Sequence, residues 1–124
     1  MIQEQKLKKV LIVDDDFEFR KSLLKIMLKA GYQASAASSS EQARELITRE
    51  AYPLILLDIH MPGKSGLELL KELKKKHSDS KVIIMTVNGE MQTYNDAMNA
   101  GAFAYLNKPV KMKKILTYAA MALN

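Results

Sequence analysis

Four places along the chain carry side chains able to hold a cation or move a phosphoryl group. They are the acidic triplet Asp14, Asp15 and Asp16, the lone acid Asp58, the hydroxyl of Thr86 and the amine of Lys108. Carboxylates gathered at one spot repel one another and are costly unless a cation sits among them. Mg²⁺ is the natural choice, because it takes one or two carboxylates, keeps several waters and leaves room for phosphate oxygens. Beside such a metal, a lysine would supply a point charge and a threonine a hydrogen-bond donor for a phosphoryl group. An aspartate can itself be the nucleophile and carry an acyl phosphate while the metal neutralises charge on the transferring group. Asp58 is the best candidate, since it is the lone acid in its place and the other acids remain free to be ligands.

This chemistry requires a frame that delivers all four places to one edge. Val10-Leu11-Ile12-Val13, Leu54-Ile55-Leu56-Leu57 and Val82-Ile83-Ile84-Met85 are continuous apolar runs rich in β-branched residues, the pattern of parallel strands covered on both faces. Gln33 to Ala37 and Ala104 to Leu106 are weaker strand candidates. Between them, Phe19, Leu23, Ile26, Met27 and Ala30 recur at helical spacing and stop at Gly31, a natural C-terminal cap. Ser39 with Gln42, and Ser65 with Glu68, have capping-box spacing, so two more helices begin near those serines. Tyr94, Ala97 and Met98 before Gly101 mark a fourth, and the stripe of Met112, Ile115, Leu116 and Ala119 a fifth. Strands alternating with helices predict an α/β fold: a doubly wound five-stranded parallel sheet, order 2-1-3-4-5, with five helices in three α/β/α layers. Ligands of such sheets bind at the carboxyl ends of the strands, where the winding reverses. A length of 124 residues, 48% of them hydrophobic, suits one domain over residues 1–124.

Four motifs in this order resemble the receiver domain of two-component response regulators, the flavodoxin-like domain shared with the chemotaxis response regulator. Val10-Leu-Ile-Val-Asp-Asp-Asp16 is similar to the family's acidic segment, and Leu56-Leu-Asp-Ile-His-Met-Pro-Gly63 with Gly66 to its phosphoacceptor segment. Ile84-Met-Thr86 is similar to the switch-threonine strand, and Tyr105-Leu-Asn-Lys-Pro109 to the lysine segment. The resemblance covers residues 8–123 and implies that a sensor histidine kinase or a histidine phosphotransfer protein donates a phosphoryl group to Asp58. It further implies that transfer and hydrolysis are self-catalysed and need Mg²⁺. By it, Asp15 would ligate the metal directly and Asp14 largely through metal-bound water, with Asp58 and the backbone carbonyl of His60 as further ligands. Lys108 would pair with Asp58 or its phosphate, on a cis Lys108–Pro109 peptide, and Val87 would offer its backbone N–H to the phosphate. Thr86 and the aromatic Tyr105 would form the switch, changing affinity for a downstream protein at the face of helix four, strand five and helix five.

Val87 departs from the family pattern, which has a small residue there, and its branched side chain should narrow the entrance to the site. His60 and Asn88 would flank the path of attacking water. Asp16 reads as a helix-opening residue near the positive end of the dipole. Without cysteine there is no disulfide framework or thiolate site, and a reducing compartment, the cytoplasm, is expected. No apolar run has signal-peptide or membrane-span length, so no membrane contact is expected. The net charge of +5 is concentrated at Lys71, Lys74, Lys75 and Lys76 and again at Lys108, Lys111, Lys113 and Lys114. No aromatic residues are interleaved to stack bases, so these read as solvated faces, with no direct nucleic-acid contact. Three alternatives stay open at this point: the receiver piece of a longer transcription regulator or hybrid kinase, a Mg²⁺-dependent phosphatase of the haloacid-dehalogenase kind with Asp14 as nucleophile, and a flavin or nucleotide binder. The missing glycine-rich loop after the first strand counts against the last.

Overall fold

Alternate residues of the apolar runs supply two separate cores. In a computed structural model describing residues 8–61, 66–87 and 91–124, the strands are β1 (Lys9–Val13), β2 (Gln33–Ala37), β3 (Leu54–Leu57), β4 (Lys81–Thr86) and β5 (Ala104–Asn107). All pair in parallel, in the order β2-β1-β3-β4-β5. Leu11, Val13, Ile55, Leu57, Val82 and Ile84 face one side of the sheet, and Val10, Ile12, Leu54, Leu56, Ile83 and Met85 the other, as the two-residue period of a strand dictates. With both faces covered, runs of apolar residues replace the alternation of a half-exposed sheet. Each fully buried aliphatic side chain contributes about 1.5–3 kcal/mol.

Among the described residues five helices cover the two faces: α1 (Phe17–Lys29), α2 (Ser40–Arg49), α3 (Gly66–Lys76), α4 (Met91–Asn99) and α5 (Met112–Leu123). Leu23 and Met27 of α1 join Ile115, Ala119 and Ala122 of α5 in one core, while α2, α3 and α4 supply Ala43, Ile47, Leu69, Leu70, Leu73 and Ala97 to the other. The three-layer arrangement and the strand order agree with the sequence-based expectation, including both weak strand candidates. Gly31 and Gly101 follow helix ends at φ of 100° and 103°, the left-handed region glycine enters without a Cβ penalty. Ser39 caps α2 by accepting from the Gln42 N–H at 3.1 Å. The Gln42 side chain reaches the N–H of Ser38, at 2.7 Å, rather than that of Ser39, so the reciprocal arm of the box is displaced by one residue. The corresponding Ser65, with Pro62 and Gly63 of the phosphoacceptor segment, lies outside the described residues. Two lysines depart from the solvated reading: the Lys108 side chain is 11% exposed, and Lys74 donates to the carbonyls of Ser78 and Ser80, both at 2.9 Å, whereas Lys71, Lys75 and Lys76 are exposed.

Candidate functional site

The winding reverses between β1 and β3, and their register carries the two acids there side by side. Val13 pairs with Leu57, so the next residues, Asp14 and Asp58, leave the sheet together. Backbone bonds continue the ladder one step further: Asp58 N–H donates to Val13 O at 2.9 Å, and Asp14 N–H to Ala37 O at 3.1 Å. On the far side Thr86 pairs with Asn107, and the Lys108 N–H donates to Thr86 O at 2.7 Å. A lysine 94 residues from Asp14 in sequence thereby arrives beside it.

Asp14 is fully buried and Asp58 is 3% exposed, while Asp15 is open to solvent. Carboxylate oxygens of Asp14, Asp15 and Asp58 all lie within 4.8 Å of one another. The Lys108 ammonium contacts Asp58 Oδ2 at 3.5 Å, the pairing the resemblance implies, and Asp14 Oδ2 more closely at 2.6 Å. Three carboxylates against one ammonium leave an excess of negative charge in a half-closed pocket. All the donors are hard oxygens and one acid reaches solvent, which fits a divalent cation that keeps part of its water shell. Asp16 is not among them: it caps α1, accepting from the Phe19 N–H at 3.2 Å, as expected for a helix-opening residue.

Burial pushes the Asp58 carboxyl above the ordinary carboxylate range; the His60 N–H, donating to Asp58 Oδ1 at 2.9 Å, and the Lys108 charge pull the other way. For Lys108, burial disfavours the charged form, but the hydrogen bond to Asp14 and the charges of Asp14 and Asp58 outweigh it and hold the amine above its usual value. The His60 side chain is exposed.

Thr86 has no exposed surface and its hydroxyl donates to the Val87 carbonyl at 3.1 Å. Val87 is 49% exposed just beyond the end of β4. Tyr105, on β5, is half-buried with its hydroxyl enclosed, and its ring meets that of Tyr94 edge-on at 5.4 Å and 80°. The Lys108–Pro109 peptide is cis, as expected. Asn88 lies outside the described residues. Two neighbours of the site escaped the sequence reading. Arg20 donates from Nη1 to the Asp14 carbonyl at 2.8 Å, and the Phe19 ring lies 4.2 Å from Lys108 Nζ. In the sequence Phe19 is the first member of an apolar helical stripe, a position that pattern alone cannot separate from ordinary core.

Residues 10–120 match the sequence model of the response regulator receiver domain. The chain is 37% identical over 107 residues to sporulation initiation phosphotransferase F of Bacillus subtilis, covering 86% of each protein. It is 35% identical to the response regulator protein PilR of Pseudomonas aeruginosa, where the match spans 93% of this chain and 26% of the relative. Among solved structures, a CheY-like response regulator receiver domain protein from Methanospirillum hungatei superposes with a TM-score of 0.91 at 33% identity, over 94% of this chain and 93% of that one. NtrX from Brucella abortus gives 0.87 at 31% identity, over 93% of this chain and 26% of the longer protein.

Proposed function

Because the chain belongs to the response regulator receiver domain family, we propose that Asp58 is its phosphoacceptor, served by Asp14, Asp15, Thr86, Val87 and Lys108. The observation that carries this reading is the Lys108 ammonium held between Asp14 at 2.6 Å and Asp58 at 3.5 Å, with Asp15 completing the acidic cluster. Asp14, Asp15, Asp58 and the His60 carbonyl would hold Mg²⁺, which when bound neutralises charge on the transferring group. An Asp58 carboxylate oxygen attacks the phosphorus of a phosphohistidine on a sensor kinase or phosphotransfer protein. The new O–P bond forms as the N–P bond breaks; its electron pair leaves with the imidazole, which takes a proton from solvent. Lys108 moves its charge from Asp14 toward the phosphoryl oxygens, and the Thr86 hydroxyl exchanges the Val87 carbonyl for the same oxygens. The Val87 N–H is a further donor.

Movement of Thr86 away from its present contact alters the space beside β5, and Tyr105, already packed on Tyr94 of α4, carries that change to the face of α4, β5 and α5, where a downstream protein binds. Hydrolysis returns the site: water attacks phosphorus, the bond to Asp58 breaks and its pair restores the carboxylate, while inorganic phosphate leaves with the proton. With Mg²⁺ bound, the protein's own residues would serve both steps, so transfer and hydrolysis are self-catalysed once a donor docks. The chain matches nearly all of one relative and about a quarter of another, and both a free-standing regulator and the receiver of a longer one accommodate this chemistry. Incubation with acetyl phosphate and Mg²⁺ should add one phosphoryl mass to the wild type and none to Asp58→Asn. The same adduct on both proteins would overturn the assignment.

A further inference from the structure

We propose that Phe19 is a positioning residue for Lys108, holding its ammonium at the acidic pocket through the face of the aromatic ring. The inference rests on the reading of Lys108 as the cation that meets the phosphoryl group. Lysine is a point charge on a flexible four-carbon stem with no preferred donor direction, and here it faces an excess of carboxylate. Left to itself, such an amine would settle on whichever acid is nearest. In this chain the Nζ is bounded on one side by Asp14 Oδ2 at 2.6 Å and Asp58 Oδ2 at 3.5 Å, and it lies 4.2 Å from the centroid of the Phe19 ring.

An aromatic face attracts a cation without using up its N–H donors, so the ring restrains the ammonium while leaving its hydrogens for oxygen partners. The environment raises the worth of the contact. The Lys108 side chain is 11% exposed, and Phe19 is half-buried, packed on the core formed by α1 and α5. Desolvated cation–π pairs are worth more than exposed ones. Phe17 makes the contrast within the same helix: its ring is 59% exposed, with Arg20 and Lys21 at 5.5 and 5.8 Å, an arrangement open to water and screening. The first turn of α1 thus contributes twice to the site, through Phe19 on Lys108 and through Arg20 on the Asp14 carbonyl.

Two readouts test this on the wild type, Phe19→Leu, Phe19→Tyr, Lys108→Ala and a protein with trifluorophenylalanine at position 19, which keeps the ring and weakens its negative face. The first is the ¹³Cε–¹Hε resonance of Lys108 without metal or phosphodonor, where the ring should displace the proton shift upfield in the wild type and Phe19→Tyr but not in Phe19→Leu. The second is beryllofluoride affinity in Mg²⁺. It should fall about threefold to tenfold in Phe19→Leu and by an intermediate factor with the fluorinated ring, and stay within about twofold in Phe19→Tyr. Wild-type affinity with the fluorinated ring, alongside weakened binding in Lys108→Ala, would overturn the positioning role and leave the phosphoryl site standing. Wild-type affinity in Lys108→Ala would overturn both. Should Phe19→Leu fail to fold, the fluorinated ring decides, because its shape is nearly that of phenylalanine.

Discussion

Asp14, Asp15 and Asp16 are neighbours in sequence with three different surroundings: the first is buried against Lys108, the second reaches solvent beside the cluster, and the third caps α1. Two substitutions should therefore separate metal binding from folding. Asp15→Ala should weaken Mg²⁺ binding by about tenfold or more, a loss of at least roughly 1.4 kcal/mol. By contrast, Asp16→Ala should leave that affinity within about twofold and lower folding stability by about 1 kcal/mol, the worth of an N-cap. Metal titration and chemical denaturation of both variants check this, and equal losses of affinity would place the ligand one residue along. At the mouth of the site Val87, 49% exposed, sets a second expectation. In the proposed site phosphodonor and hydrolytic water would both approach past it, and alanine would obstruct them less than valine. Val87→Ala should speed both phosphorylation by acetyl phosphate and later decay about threefold to tenfold, a barrier change of roughly 0.7–1.4 kcal/mol. Unchanged rates in mass-resolved kinetics would remove Val87 as a gate. What sequence could not tell at this scale was the partner of each charge. The resemblance put Lys108 on Asp58, whereas packing brings it closer to Asp14, and that choice depends on tenths of an ångström set by residues far apart in the chain.

Among the elements, α3 sits against the phosphoacceptor loop with almost no clearance. A Cβ added at Gly66 would run into Ile59 Cα and come within 2.7 Å of the Asp58 carbonyl oxygen. Those atoms are backbone and cannot swing aside, so the loop must shift. Gly66→Ala should cost about 1–3 kcal/mol of stability and displace Asp58 enough to slow acetyl phosphate modification, as denaturation curves and phosphorylation rates on the same protein will show. Wild-type values in both would mean the approach is looser than described. Elements differed in how plainly the sequence announced them. β1, β3 and β4 read as uninterrupted apolar runs because both their faces are covered. β2 was faint: Gln-Ala-Ser-Ala-Ala has little β-branched character, and it becomes a strand because its backbone completes the ladder beside β1, Lys9 opposite Gln33 through Val13 opposite Ala37. Helix starts at Asp16 and Ser39 were legible through their caps, since capping is a local interaction. The contact of α1 with Lys108 was not, because it joins residues 19 and 108 across the sheet edge.

For the molecule as a whole, strand order decides which residues become neighbours. Placing β1 and β3 side by side at the winding reversal brings Asp14 and Asp58 together, and setting β4 and β5 next in line brings Thr86 and Lys108 toward them. The order was expected because five strands alternating with five helices suit a doubly wound sheet, whose common order this is; the parallel pairing then sends every strand's carboxyl end to the same edge. Among the described residues no helix is long and apolar enough to cross a membrane. Lys71, Lys75, Lys76, Lys111, Lys113 and Lys114 are all exposed. This edge is proposed to carry an acyl phosphate on Asp58, and the position of the phosphoryl bond decides the matter. Phosphorylated protein reduced with borohydride converts the modified aspartate to homoserine, which peptide mass mapping locates. Conversion is expected at Asp58 and at no other acid; conversion at Asp14, as a first-strand phosphatase nucleophile requires, or at no aspartate, would overturn the assignment.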